Sequence, residues 1–505
     1  MVRPLLDYPS RRRLDRCINI SDLRDAAKLR AHKMVFDYLD AGADDEITIR
    51  RNKDAYSQLE LHYRILAGLS PPLDMSTRVM GRDVKIPFFV SPTAGSKMFH
   101  ADGEVGVARA ASAAGAMYSL STMGTAAPAE VAPATPAHHP KLFQLYVWKD
   151  RSLVRDMLAQ ARENGFHALA LTVDLTWYGN RERDHRNGFT VPPAYTAKQT
   201  WEAMRRPAWT WDFLSSPEYA YAAVDLAAEG RLRRAAQGTR GESTASDAPF
   251  PTDRREQVAF IRDAFDPSFS WDDAEWLCQE WNEGPVALKG VVRPSDALKA
   301  VDRGFDAVWV SNHGGRQLET APAPIDVLPS IRDAMGGVGA WHAAKTAEED
   351  AWRDAAINDG ADLNDAGTYL EVRARAATAA SDACGGSHLV AAKTGLPVEL
   401  VVDGGVQRGT DVLKGLAMGA DAVAIGKPYL YGLCAGGEAG VRKAFDVLTD
   451  ELERAMVSWG LGRSGNCARG WRRGRSWCGG DTRARGISPT AAPSIGDTAE
   501  ACSER

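Results

Sequence analysis

The chain has 505 residues, 44% of them hydrophobic and 25% charged, with 46 glycines and 26 prolines, a composition that permits a sizeable buried core. A formal net charge of -5 offers no basic field for a phosphate backbone, so no nucleic acid is expected as a partner. No apolar run is long enough to cross a bilayer, Pro4, Asp7 and Pro9 interrupt the place of a signal-peptide core, and Asp7, Asp15, Asp22 and Asp25 argue against a transit peptide around Arg11, Arg12 and Arg13.

Residues 1–85 read as a helical extension, in which Met34, Val35, Tyr38 and Leu39 form an apolar stripe ended by Gly42. By periodicity alone Tyr38 is a core residue. Residues 86–459 hold eight short apolar runs, mostly separated by helical periodicity, which predicts the α/β class and a (β/α)8 TIM barrel. The runs are IPFFVSPTA (86–94), AMYSLST (116–122), KLFQLYV (141–147), ALALTVD (168–174), PVALKGV (285–291), AVWVSNH (307–313), LVVDGG (400–405) and AVAIGK (422–427). Residues 103–115 and 152–165 place Ala, Val and Leu at three- and four-residue spacings and end in glycine, as crossover helices do.

Three stretches exceed a minimal barrel. Residues 192–284 form a βα connection, hence a long loop on the catalytic face, whereas the Ala- and Asp-rich residues 338–396 form an αβ connection, an atypical insertion on the bottom face. Residues 460–505, rich in Gly, Arg and Ser, read as a disordered tail. The active-face loop interleaves Trp201, Met204, Trp209, Trp211, Phe213 and Leu214 with Lys198, Arg205 and Arg206. Such a composition suits the boundary between lipid headgroups and acyl chains. A lid whose tryptophans pack on the barrel rim explains it equally well, and Pro207 interrupts any long amphipathic helix.

The seven cysteines, Cys17, Cys278, Cys384, Cys434, Cys467, Cys478 and Cys502, are scattered and never spaced as a CxxC pair. A reducing compartment and no metal site are expected. The protein is therefore placed in the cytoplasm, with peripheral attachment to the inner face of the membrane as the alternative.

In a barrel the strand ends and following loops build the active site. The sixth run leads into Ser311-Asn312-His313-Gly314-Gly315-Arg316-Gln317, delivering an imidazole that takes a proton near neutral pH and a guanidinium fork that matches a carboxylate. That pairing suits a 2-hydroxy acid; otherwise His313 caps a loop and Arg316 is a surface charge. Asp174, at the end of the fourth run, is placed to orient the imidazole or else caps the next turn. Lys289 lies inside the fifth run, where an ammonium needs an anionic or hydrogen-bonding partner. A flavin ring is one such partner; a Schiff-base lyase using Lys289 is the other reading. The loops Asp403-Gly404-Gly405-Val406-Gln407-Arg408-Gly409 and Ile425-Gly426-Lys427-Pro428 are glycine-rich with one cation each, at the strands where barrels commonly bind phosphate. They point to a phosphate-bearing cofactor, FMN being the natural candidate. Ser121, Gln144 and Thr172 put hydrogen-bonding side chains in strands that packing alone would leave apolar.

Taken together, PTAG, FQLY, LTVD followed by GNRERD, LKGV, SNHGGRQLE and DGGVQRGTD, in that order, resemble the FMN-dependent 2-hydroxy-acid dehydrogenase and oxidase family over residues 20–337 and 397–459. The resemblance implies that His313 is the catalytic base, Asp174 its partner, and Tyr38, Arg181 and Arg316 the contacts of the substrate carboxylate. It implies that Tyr146 meets the substrate oxygen. Pro92, Thr93, Ala94, Ser121, Gln144, Thr172, Lys289 and Ser311 then serve the flavin, and Asp403, Gly404, Gly405, Gln407, Arg408, Gly426 and Lys427 its ribityl phosphate. GNRERDHRNGF and RRPAWTWDF look most like the L-lactate dehydrogenase (cytochrome) branch, which implies L-lactate as substrate, a quinone or cytochrome as electron acceptor, and a homo-oligomer. An oxidase using oxygen, as in glycolate oxidases, is the alternative, and an inactive barrel a more remote one. Many relatives carry arginines where Gln407 and Lys427 stand, a loss for which Arg408 is placed to compensate.

Overall fold

The computed structural model describes residues 12–175, 177–189, 196–216, 221–222, 260, 263–282, 284–335, 375 and 398–462. The N-terminal extension contains helices α1 (Ile20–Arg30), α2 (Lys33–Asp40) and α3 (Ile47–Ser57). The Asn19 side chain caps α1 by accepting the Asp22 N–H, and His32 Nδ1 caps α2 by accepting that of Met34. The same extension also carries an antiparallel hairpin, β1 (Thr77–Val79) and β2 (Arg82–Val84), which periodicity does not reveal. Its turn residues Met80 and Gly81 both have positive φ, 49° and 72°, as a tight two-residue hairpin requires.

All eight apolar runs form strands: β3 (Phe88–Val90), β4 (Tyr118–Ser121), β5 (Lys141–Leu145), β6 (Ala168–Thr172), β7 (Val286–Val291), β8 (Ala307–Val310), β9 (Glu399–Val402) and β10 (Ala422–Ile425). They pair in parallel in the order β3-β10-β9-β8-β7-β6-β5-β4. The Val90 N–H donates to the Met117 carbonyl at 3.3 Å across the remaining seam. The chain is thus a (β/α)8 barrel, each strand alternating between an inward and an outward face.

Inward side chains, among them Phe89, Met117, Leu142, Ala170, Ala287, Trp309, Val401 and Ala424, fill the barrel, and Val79, Met80 and Val84 of the hairpin join this cluster. The Glu399 carboxylate accepts the Met80 N–H at 2.8 Å, and His167 Nε2 bonds the Met80 carbonyl at 3.1 Å. The hairpin therefore plugs the bottom of the barrel. Outward faces pack on the helices; the last helical segment, Lys427–Trp459, is broken at Gly436 and Gly437 and closes against α1 and the helix Gly103–Ala114. Among the described residues no helix is long and apolar enough to cross a membrane.

One irregularity aims the active face. The β7–β8 register shifts after Lys289, where Gly290 has φ 109°. A Cβ at Gly290 would lie 2.7 Å from Cβ of Asp174, so only glycine lets the two strand ends approach.

Apart from Arg375, the stretch 338–396 lies outside the described residues, as does the expected tail beyond residue 462. The helix Pro324–Ala334 packs on both β8 and β9, whose own pairing is complete from Ala307 and Glu399 onward. Excising residues 338–396 and joining the ends by a short turn should leave far-UV circular dichroism and yellow colour unchanged. A deletion that loses flavin while the parent keeps it would show that the stretch supports the barrel.

Candidate active site

The loop after β8 is fixed before its imidazole is placed. His313, Gly314 and Gly315 all have positive φ, 58°, 64° and 75°, an unusual conformation for the histidine that needs support from its surroundings. Ser311 Oγ accepts the His313 N–H at 3.1 Å. Asn312 exchanges two side-chain hydrogen bonds with Asn52 of α3, at 2.9 and 2.7 Å, and its Oδ1 also accepts the Gly315 N–H. The imidazole then donates from Nδ1 to Asp174 Oδ1 at 2.8 Å, while Nε2 lies 3.5 Å from the Tyr146 hydroxyl. This arrangement leaves Nε2 as the basic nitrogen facing the cavity. Burial opposes ionisation of Asp174, but His313 and Lys289 outweigh it and hold the carboxyl below the ordinary carboxylate range. Burial and the Asp174 charge push the Tyr146 phenol well up, so it stays a donor.

Two guanidinium groups flank one ring. Arg181 lies 5.5 Å and Arg316 5.1 Å from the centroid of Tyr38, which also stacks on Phe189 at 4.7 Å. Arg316 Nη1 donates to the carbonyls of Tyr38 and Ala41, at 2.8 and 2.9 Å; Arg181 Nε donates to Asp184 at 2.8 Å. Burial and then the neighbouring Arg181 charge lower Arg316 from the usual guanidinium range. A carboxylate between them would relieve that repulsion and accept the remaining N–H donors. Tyr38, which periodicity makes a core residue, is half-buried and lines the cavity.

His313, Tyr146, Tyr38, Arg181 and Arg316 share a cavity of about 420 Å³ with Pro92, Thr93, Ala94, Lys289, Asp403, Gly404, Gly405, Gln407, Gly426 and Lys427. Lys289 Nζ bonds Ser311 Oγ at 2.8 Å and pairs with Asp403 at 3.2 Å. Its nitrogen is thus engaged by two neighbours rather than left free for a carbonyl carbon, which argues against the lyase reading. Ser121, Gln144 and Thr172 are buried at the ends of β4, β5 and β6 and do not line the cavity themselves. Ser121 donates to Gln144 Oε1 at 2.8 Å, but Gln144 Nε2, Thr172 Oγ1 and Asp403 Oδ1 have no hydrogen-bond partner among the described residues. Buried polar atoms without partners are costly, and a planar ring edged with donors and acceptors would satisfy them. Gly405 has φ 92°, and a Cβ there would lie 2.0 Å from the Asn52 carbonyl oxygen, so only glycine lets α3 pack against this loop. These features fit FMN.

Two residues expected at the phosphate fit less well. Arg408 does not line this cavity; it pairs with Glu451 at 2.6 Å on the outer side. Lys427 does line it, but its Nζ donates to the Asp40 and Ala41 carbonyls at 2.8 and 3.4 Å, and burial together with Arg316 holds it well below its usual range. Sequence reasoning misses Asn52, Lys53, Tyr178 and Phe265, which also line the cavity. No motif marks them, because they arrive from the N-terminal extension and the fourth βα loop.

The description of the FMN-dependent dehydrogenase family matches residues 27–366 and 374–472. The chain is 34% identical over 440 residues to glycolate oxidase 3 of Oryza sativa subsp. japonica, spanning 87% of this chain and 91% of that protein. It is 32% identical over 442 residues to an L-lactate dehydrogenase of Xanthomonas campestris, spanning 87% and 92%. The crystal structure of the monotopic membrane protein (S)-mandelate dehydrogenase superposes with a TM-score of 0.69 at 27% identity, covering 89% of this chain and 97% of that one. With a matched family over most of its length and a cavity that fits the cofactor, the chain belongs to the FMN-dependent dehydrogenases, which oxidise 2-hydroxy acids.

Proposed function

We propose that this enzyme oxidises an L-2-hydroxy acid, L-lactate among them, to the 2-oxo acid and passes the electrons to a quinone or cytochrome. One observation carries the reading: the His313–Asp174 pair and the Arg181–Arg316 clamp face one cavity. The clamp takes the substrate carboxylate, and the Tyr146 hydroxyl donates to the substrate oxygen. His313 Nε2 takes a proton, and Asp174 stabilises the imidazolium that results. FMN, when bound, accepts the two electrons; Gln144, Thr172 and Lys289 would hold its ring, and the backbone of the Gly404-Gly405 loop and Gly426 its phosphate end. Conversion of the hydroxyl carbon to a ketone releases two electrons and two protons: His313 takes one proton, and the other would go with the electron pair to the flavin.

The acceptor reading draws on the active-face loop. Its described stretch 196–216 holds two helices, Ala197–Met204 and Pro207–Ser215, with Pro207 in the first turn of the second. Trp209 is not interfacial: it is 5% exposed, donates to the Met98 carbonyl at 3.0 Å and stacks on the half-buried Phe213. Asp212 beneath them pairs with Arg30 and His100, and Arg206 bonds the Ala31 carbonyl. Trp201, Met204, Trp211 and Leu214 remain exposed, with Lys198 and Arg205 beside them in sequence. These two helices thus dock through Trp209 and Asp212 and present exposed apolar side chains among basic ones, a surface suited to resting on a membrane that holds quinone.

His313→Gln should lower kcat by on the order of 10²–10⁴ while the flavin spectrum persists; turnover within tenfold of the parent would remove His313 as the base. Arg316→Lys should raise KM by about tenfold and also lower kcat, since a point charge does not reproduce the planar fork, and unchanged steady-state kinetics would exclude Arg316 from the carboxylate site. The parent should float with anionic liposomes, and the combined Trp201→Ser, Trp211→Ser and Leu214→Ser variant should not, yet it should still reduce a soluble dye. A parent that stays at the bottom of the gradient and consumes oxygen with L-lactate would instead identify an oxidase.

A further inference from the structure

The phosphate end of the cavity requires a cation, and the structure accounts for nearby basic side chains one by one. Arg408 is committed to Glu451 outside the cavity. Lys414 Nζ donates to the Tyr56 carbonyl at 2.8 Å. Lys427 is committed to the Asp40 and Ala41 carbonyls. Gln407, where many relatives carry arginine, folds back so that Nε2 donates to the Val406 carbonyl at 2.7 Å. Lys53 of α3 differs from all of them. It lines the same cavity as Gly404, Gly405 and Gln407, is exposed, and makes no ion pair or hydrogen bond with a described residue. Its backbone is already beside the glycine loop, since a Cβ on Gly405 would lie 3.2 Å from the Lys53 nitrogen.

We infer that Lys53, supplied by the N-terminal extension rather than by the barrel, is the cation that binds the FMN phosphate in this chain. The inference rests on the FMN dependence of the family and adds a residue that neither glycine loop contains. A flexible ammonium within reach of a dianion makes charge-assisted hydrogen bonds. It replaces in function the charge missing at Gln407, from a different element.

The test uses full-length protein stripped of flavin and titrated with FMN and with riboflavin, which has the same ring and no phosphate, reading quenching of flavin fluorescence. The parent should prefer FMN strongly. Lys53→Ala should weaken FMN by about tenfold or more while leaving riboflavin affinity unchanged, so the riboflavin arm also reports that the site is folded. Lys53→Arg should restore most of the preference. An unaltered FMN-to-riboflavin ratio in Lys53→Ala would overturn the inference. So would a ratio lost in Arg408→Ala and kept in Lys53→Ala, which would return the phosphate to the barrel loop. A parent that binds both flavins equally would remove the phosphate site altogether.

Discussion

The active face depends on the carbonyl end of one short helix. At the C-terminus of α2, backbone oxygens lack partners within the helix and carry the negative end of its dipole. Arg316 takes the carbonyls of Tyr38 and Ala41, and Lys427 those of Asp40 and Ala41. Two half-buried basic side chains from distant strand ends are thereby held a few residues apart. Their mutual repulsion is offset nearby by the Asp40 carboxylate, which accepts from Arg24 and Tyr431 and lies 3.2 Å from Arg183. Burial opposes the ionisation of Asp40, but these partners prevail and drive its carboxyl far below the ordinary range. The site is thus prepared to receive anions before any arrive.

The extension is therefore a structural half of the active site. It supplies Tyr38 between the two guanidinium groups, Asn52 to lock the loop that carries His313, and Lys53 at the opposite end of the cavity. Further backbone links, from Ala43 N–H to the Gly315 carbonyl and from Asp44 N–H to that of Asn180, tie the extension to the loops that carry Arg316 and Arg181. The barrel contributes chemistry at the strand ends, and the extension sets the distances between those contributions.

How much of this is legible in the amino-acid sequence follows from the range of each signal. The strands are legible because a parallel strand buried on both faces is apolar throughout, as AVWV and LVV are. His313, Asp174 and Arg316 are legible because polar residues directly after such runs fall on the active face. The β1–β2 hairpin is not, because three-residue strands are too short to show alternation; its one local sign is Gly81 in the turn. Arg408 eludes the pattern for a related reason. It is the residue before a helix, where one step along the chain turns a side chain from the cavity to the outside, and its partner Glu451 lies 43 positions away. Trp209 and Trp211, two residues apart, likewise differ because the helix puts one inward and the other outward.

The contacts at the end of α2 join residues separated by 278 positions in the case of Arg316 and 387 in the case of Lys427. During synthesis the extension emerges first, carrying bare helix-end carbonyls whose cationic partners come much later. The substrate clamp therefore closes only after the sixth strand has left the ribosome, and the lysine contact only after the eighth. A nascent chain interrupted before that point lacks the basic partners of this helix end. In this protein, competence to bind substrate is a late event of biogenesis, coupled to completion of the barrel.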